Sequence, residues 1–231
     1  MVAAVIPAAG QGRRMGAGRN KMLLQLRGRP ILVWTLLAFS KVEEISELVV
    51  VVGENEVAAV QNLLREVKGL KPYQVAAGGA ERQYSIANGL NKISPEAEIV
   101  LVHDGARPLV STETIKKVIA AAREHGGAIA AVPEKNTVKV VDEAGFVVST
   151  PDRAKLWAVQ TPQGFRRELI KKAYAKAEED GFLGTDDASL AERIGIPVQV
   201  VTDDYRNIKI TTPEDLTIAE AFLAAREAED D

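Results

Sequence analysis

A chain of 231 residues, 46% apolar and 26% charged, can bury a full core and is expected to form a single domain over 1–231. Its formal net charge of −3 lacks the basic footprint of a general nucleic-acid binder, and no apolar run approaches the roughly 18 to 20 residues of a membrane span. The absence of cysteine excludes disulfides, thiolate metal sites and cysteine nucleophiles, and the apolar opening is strand-length and runs into a glycine loop, so the cytoplasm is the expected compartment.

In chain order, short apolar runs alternate with helix-length amphipathic segments. Val2 to Ile6, Leu48 to Val52, Tyr73 to Ala76, Ile99 to His103 and Ala128 to Val132 are continuous apolar stretches of strand length, as in strands covered on both faces. Between them lie helical patterns at Ile31 to Phe39, Glu56 to Glu66, Glu81 to Lys92 and Thr112 to Glu124, with Pro30 suited to a first turn and Ser111 to an N-cap. That order predicts an α/β fold with a doubly wound, mostly parallel sheet, whose ligands sit outside the carboxyl ends of the strands.

The rhythm changes after Pro133. Thr137 to Asp142 and Phe146 to Thr150 flank Glu143-Ala144-Gly145, the pattern of a β-hairpin, giving an inserted arm at about residues 134–158. An isolated hairpin is marginally stable, so its expected support is a second copy of the chain. Helices are then expected at Arg166 to Glu179 and Asp187 to Arg193, a strand at Val198 to Val201, and a last helix opened by Thr212-Pro213-Glu214-Asp215. Glu227 to Asp231 reads as a frayed acidic tail.

The loop Pro7-Ala8-Ala9-Gly10-Gln11-Gly12-Arg13-Arg14-Met15-Gly16 follows the first strand, and its small residues let backbone N–H groups approach phosphate oxygens. It lacks the third glycine of the dinucleotide fingerprint and the Gly-Lys-Ser/Thr of a P-loop. It carries two arginines, with Lys21 shortly after, a set suited to a triphosphate attacked at its α-phosphorus; Arg14 and Lys21 are the candidates for stabilising the charge that accumulates there. The competing reading is a basic surface loop.

Asp104 ends a buried strand where ligands gather, and a lone carboxylate suits magnesium, which takes its remaining ligands from phosphates and water. A helix cap or an ion pair with Arg107 would serve the same residue structurally. His103 next to it fits a hydrogen-bonded core residue better than a base, and Trp157 fits packing at the base of the arm.

Ala8-Ala9-Gly10-Gln11-Gly12-Arg13-Arg14-Met15 with Lys21 resembles the signature of sugar nucleotidyltransferases. Gly78-Gly79-Ala80-Glu81-Arg82-Gln83-Tyr84-Ser85, His103-Asp104-Gly105-Ala106-Arg107-Pro108, Gln160-Thr161-Pro162-Gln163, Thr185-Asp186-Asp187-Ala188 and Asn207-Ile208-Lys209 narrow the resemblance to the 2-C-methyl-D-erythritol 4-phosphate cytidylyltransferases. It runs in order along nearly the whole chain. It implies a Rossmann-like nucleotidyltransferase fold and transfer of CMP from CTP to 2-C-methyl-D-erythritol 4-phosphate in isoprenoid precursor synthesis, with magnesium on Asp104.

By the same resemblance, Ala8, Ala9, Gly10, Gly12, Gly79, Ala80, Ser85, Asp104 and Gly105 would line the nucleotide, with Arg82 supporting that pocket. Asp104, Arg107, Arg153, Thr161, Thr185 and Lys209 would grip the acceptor, Arg153 reaching across from the arm of a partner subunit in a homodimer. The sequence departs from the pattern at Asn20, where proline is common before the lysine, and at Gly105-Ala106, where many members have two alanines. Two rival readings share the nucleotide half: a cytidylyltransferase for another polyol phosphate such as ribitol 5-phosphate, and a non-catalytic nucleotide sensor. Retention of Arg14, Lys21 and Asp104 together argues against the sensor.

Overall fold

The computed structural model describes residues 1–10 and 21–230. The first strand, β1 (Val2–Pro7), is apolar at consecutive positions because both of its faces are covered: Val2, Ala4 and Ile6 join one core, Ala3 and Val5 another. A short 3-10 turn at Lys21–Leu23 leads through the small ladder of β2 (Gln25–Leu26) and β3 (Arg29–Pro30) into α1 (Ile31–Ser40). Then follow β4 (Ile45–Val52), α2 (Val57–Arg65), β5 (Tyr73–Ala77), α3 (Arg82–Leu90), β6 (Ile99–Val102), α4 (Thr112–His125) and β7 (Gly127–Pro133). The arm strands β8 (Val140–Val141) and β9 (Val147–Ser149) precede β10 (Trp157–Arg166), α5 (Arg167–Glu179), α6 (Asp187–Arg193), β11 (Val198–Thr202) and α7 (Pro213–Asp230).

Seven strands form the central sheet in the order β11-β7-β10-β6-β1-β4-β5. All pairings are parallel except those of β10, which runs against both β6 and β7. From β1 the chain first winds outward through β4 and β5, then returns to β6 on the other side of β1. The carboxyl ends of β1 and β6 therefore flank the point where the winding reverses, and a crevice opens there. Helices α1, α2 and α4 cover one face through Leu36, Phe39, Leu64 and Val118, while α3, α5 and α6 cover the other through Ile86, Leu90, Ile170 and Leu190. Each such side chain contributes roughly 1.5–3 kcal/mol when fully buried. A third cluster seats α7 on Leu26 and Ile31.

One approach between layers bears directly on the site. A Cβ on Gly89 would stand 2.5 Å from Val5 Cγ1 and 2.9 Å from Val51 Cγ2, so α3 lies on the sheet at a distance only glycine permits. The first turn of α3 is thereby held against the crevice.

The sequence reading missed β10. Its middle, Gln160-Thr161-Pro162-Gln163, is polar and contains a proline, which argues against a central strand. The structure accommodates both through a register shift between Val159 and Gln163 and by spending the glutamines internally. Gln163 donates to Asp186 Oδ2 at 2.8 Å and accepts the Ala188 N–H at 2.9 Å. The hairpin ladder is shorter than expected, and the acidic end, expected to fray, continues α7 through Asp230. Ser111 caps α4 by accepting the Thr114 N–H at 3.0 Å, and Thr212 and Asp215 form the expected start of α7. Pro30 lies just before α1, at its N-cap. No helix among the described residues is long and apolar enough to cross a membrane.

Candidate active site

Two small-residue loops form the walls of the crevice. Ala8 N–H bonds to Val51 O and Gly78 N–H to Val52 O, both at 2.7 Å, which ties the loop after β1 and the loop after β5 to β4. A Cβ on Gly78 would meet Ser85 Oγ at 2.7 Å and Ala9 Cβ at 3.2 Å, and one on Gly79 would meet Tyr84 Cβ at 2.6 Å. Ser85 itself is buried. Its hydroxyl accepts the Gly79 N–H at 3.1 Å and donates to Glu81 O at 3.1 Å, so it fixes the loop from the first turn of α3.

Asp104 stands at the head of the crevice, one residue beyond the partner that His103 finds in β1, where His103 N–H bonds to Val5 O. Its Oδ2 lies 2.7 Å from Lys209 Nζ and 3.9 Å from Arg107 Nε, and its Oδ1 lies 3.4 Å from Arg82 Nε. Burial pushes this carboxyl upward, but Lys209, Arg82 and Arg107 outweigh it and hold Asp104 well below the usual carboxylate range. The group is ionised at neutral pH and already carries three cationic neighbours.

Its backbone is fixed as well. Asp104 N–H donates to Thr161 Oγ1 at 3.0 Å, and Thr161 meets His103 Nδ1 at 3.1 Å, while His103 Nε2 lies 3.1 Å from Arg107 O. A carbonyl only accepts, so Nε2 carries the hydrogen and Nδ1 accepts from the Thr161 hydroxyl. Burial pushes the imidazole down to about 4, which leaves it neutral at pH 7 and serving as a brace for the loop. Thr35 on α1 adds a bond to Gly105 O at 2.9 Å.

Arg82 links Asp104 to two residues that sequence reasoning did not single out. Its Nη2 is 2.9 Å from Asp187 Oδ2, and the other oxygen of Asp187 accepts a short hydrogen bond from the Tyr174 hydroxyl. Asp187 is 0% exposed. A hint was present in the consecutive acids Asp186-Asp187, of which one suffices as cap: Asp186 takes that place, accepting the Ser189 N–H at 2.9 Å.

A third group supports the opposite wall. Arg107 Nη1 donates to Asn207 O at 2.6 Å, and Asn207 Nδ2 donates to Thr161 O at 2.8 Å and Asp203 Oδ2 at 2.6 Å. Arg107 Nε, Gln160 Oε1 and Asn207 Oδ1 are buried with no hydrogen-bond partner among the described residues. Lys209, two residues beyond Asn207, is thereby aimed at Asp104, and Lys21 Nζ, also buried, donates to Ile210 O at 2.9 Å.

The resulting cleft has a volume of about 560 Å3. Of the residues expected at the site, Ala9, Gly10, Lys21, Gly79, Ala80, Arg82, Ser85, Asp104 and Lys209 line it, joined by the unforeseen Glu54 and Met22. Ala8 is buried behind the lining, and Gly105 N–H bonds to Pro7 O at 3.2 Å. Arg107 and Thr161 act on Asp104 from beneath. Thr185 is exposed and precedes the cap of α6, and Arg153 lies on the arm, where its Nη1 donates to Lys135 O at 2.7 Å. Gly12 and Arg14 fall outside the described residues.

Among the described residues no group of three or more His, Asp or Glu side chains is arranged to hold a metal ion. Asp104 offers one carboxylate beside an open cleft. That donor set fits magnesium only when most of its ligands arrive with a phosphate-bearing substrate and water.

The family model described as "2-C-methyl-D-erythritol 4-phosphate cytidylyltransferase" matches residues 2–225. Proteins of that name from Caldanaerobacter subterraneus subsp. tengcongensis and Geobacillus kaustophilus are each 50% identical to the chain, over 96% and 98% of it and 98% of their own lengths. The crystal structure of 4-diphosphocytidyl-2C-methyl-D-erythritol synthase from Anaerococcus prevotii superposes with a TM-score of 0.87 at 36% identity, covering 97% of this chain and 96% of that one. The Thermus thermophilus cytidylyltransferase gives 0.79 at 35% identity, covering 95% and 97%.

Proposed function

The chain belongs to the 2-C-methyl-D-erythritol 4-phosphate cytidylyltransferase family, and we infer that the cleft around Asp104 is where it transfers CMP from CTP to 2-C-methyl-D-erythritol 4-phosphate, forming 4-diphosphocytidyl-2-C-methyl-D-erythritol and pyrophosphate. The observation that carries the assignment to this cleft is the Asp104 carboxylate set between Lys209 and Arg82, with the glycine loops of β1 and β5 on either side.

The chemistry needs few reactive side chains. A phosphate monoester has its second pKa near 6 and arrives mostly as the dianion, so no base is required to activate it. An oxygen of the acceptor phosphate attacks the α-phosphorus of CTP in line; that O–P bond forms as the bond to the bridging oxygen of pyrophosphate breaks. The protein's task is to hold both phosphates and neutralise the charge that gathers between them. In this proposal Lys21 and Arg14 face the α-phosphate, backbone groups of Ala8, Ala9, Gly10, Gly12, Gly79 and Ala80 line the nucleotide with Ser85, and Lys209, Arg107, Thr161 and Thr185 serve the acceptor side. Neutral, internally bonded His103 is consistent with a reaction that needs no general base.

Magnesium is proposed to bind at Asp104 together with the triphosphate, supplying charge neutralisation there. A homodimer through the arm is proposed from its exposed apolar residues Val141, Phe146, Val147 and Val148, with Arg153 reaching the partner's cleft. The proposed compartment is the cytoplasm, a reading supported by the absence of cysteine and by a nucleoside triphosphate substrate.

The test is pyrophosphate release from CTP with magnesium and either 2-C-methyl-D-erythritol 4-phosphate or ribitol 5-phosphate. Release with the first acceptor alone is expected. Release only with the second would move the chain to another polyol phosphate, and CTP binding without release from either would make it a sensor.

A further inference from the structure

We propose that Tyr174 and Asp187 are positioning residues for the reaction, holding the Arg82 guanidinium so that it orients the Asp104 carboxylate across the cleft. The inference rests on the assignment of the reaction to this cleft.

Arg82 is the only side chain bridging the two carboxylates among the described residues, with Nε toward Asp104 at 3.4 Å and Nη2 on Asp187 at 2.9 Å. A guanidinium is planar, so anchoring one edge fixes the direction of the other. Asp187 is the anchor. It is fully buried at the start of α6, and its second oxygen is occupied by the hydroxyl of Tyr174 on α5.

Neither group is required for helix capping or apolar packing. Capping of α6 is done by Asp186 through Ser189, and an apolar residue would fill a fully buried helix position without requiring charged partners. Phenylalanine would pack between α5 and α6 as well as tyrosine does, so the hydroxyl is needed only for Asp187. Without it the carboxylate has an oxygen to satisfy, and it turns that oxygen toward Arg82. The guanidinium plane is then no longer fixed, its Nε–H swings off Asp104 Oδ1 into the open cleft, and Lys209 keeps hold of Oδ2. Asp104 therefore rotates away from the geometry in which it meets the substrates, an error of a kind that lowers turnover more than it weakens binding.

The experiment uses full-length Tyr174→Phe. Turnover of CTP with 2-C-methyl-D-erythritol 4-phosphate is expected to fall roughly tenfold, with KM for CTP within about twofold of the parent. The Arg82 Nε–H resonance in a 15N-labelled sample, identified with Arg82→Lys, is expected to exchange with solvent several-fold faster in the variant. Asp187→Asn should deepen both effects. Turnover within about twofold of the parent, or unchanged Arg82 exchange in Tyr174→Phe, overturns the inference. A parent protein that releases no pyrophosphate would instead defeat the functional assignment, and the exchange measurement would still decide whether Tyr174 holds Arg82.

Discussion

Lys209 Nζ sits 2.7 Å from Asp104 Oδ2, although one residue lies just before α7 and the other just after β6. The lysine is 40% exposed on its side chain and the aspartate 11%, so the pair lies at the cleft surface with its anionic member recessed. An ammonium so placed can leave the carboxylate for a substrate phosphate without unfolding anything. Lys209→Met is therefore expected to raise KM for the methylerythritol phosphate and lower kcat/KM by about 100-fold, with CTP affinity changed less than about threefold. Steady-state kinetics against each substrate, with CTP titration by calorimetry, check this. An unaltered acceptor KM would remove Lys209 from the acceptor side.

Lys21, proposed to face the α-phosphate, makes the complementary case. Its ammonium is buried at the cleft wall and its bond to Ile210 O fixes its direction, so it is preorganised for charge that develops only during transfer. Lys21→Ala is expected to weaken CTP binding only modestly and to reduce turnover by about 1000-fold. Full turnover in the variant would take the residue out of the mechanism.

The glycine loops and Asp104 were legible because each leaves a local mark, small residues after a strand and an acid ending an apolar run, whereas Lys209 stands out only through the family resemblance. The alternation of apolar runs with helical patterns likewise gave the parallel part of the sheet. What escaped was tertiary. Tyr174 occupies an apolar position of an amphipathic helix and looks like packing, and its partner Asp187 looks like an ordinary first-turn acid; Asp187 in turn meets Arg82 across a sequence separation of 105. β10 was hidden for a related reason, since its two glutamines bond to Asp186, Ala188, Asp204 and Asn207 from later segments.

Gly89 tests whether the packing of α3 sets the site. In Gly89→Ala the new methyl must displace Val5 or Val51, both fully buried in the sheet, or lift the helix. Overpacking of this kind costs about 1–3 kcal/mol, which for a domain of this size lowers Tm by roughly 2 to 12 °C. Lifting α3 also moves Ser85, which fixes the Gly79 loop of the cleft wall, so KM for CTP should rise several-fold. A variant with the parent's Tm would show that the sheet yields at no cost.

Asp215 gives a pH-dependent expectation with a definite sign. Burial pushes its carboxyl up, but bonds from Thr211 N–H and Oγ1 and from Thr212 N–H, at 2.7 to 2.8 Å, prevail and hold it below the usual range. A folded-state value depressed below the unfolded one stabilises above the unfolded pKa and is lost as pH falls through the folded value. The cap is worth about 1 kcal/mol, less some screening because the group is partly exposed. Asp215→Asn should thus lower Tm by roughly 2–4 °C at pH 7, with the gap narrowing as pH falls through and below the usual carboxylate range. An equal gap across that range would mean that the charge contributes nothing.

The arm poses the question of whether the site is complete in one chain. Phe146 is 72% exposed and Val148 65%, on a hairpin whose ladder involves only β8 and β9, and Arg153 stands at its base away from the cleft-lining residues. If a partner covers this face, Phe146→Asp with Val148→Asp should convert a dimer into a monomer by sedimentation. Whether Arg153 then works across the interface can be read from mixed subunits. Arg153→Ala and Lys21→Ala homodimers should each be nearly inactive. Dissociated and recombined in equal amounts, they form mixed dimers in about half of the population, and each mixed dimer has one site with Lys21 from its own chain and Arg153 from the partner. Recovery of about one quarter of the parent's activity is therefore expected. No recovery from a mixture shown to have exchanged subunits would mean that Arg153 serves its own chain or none.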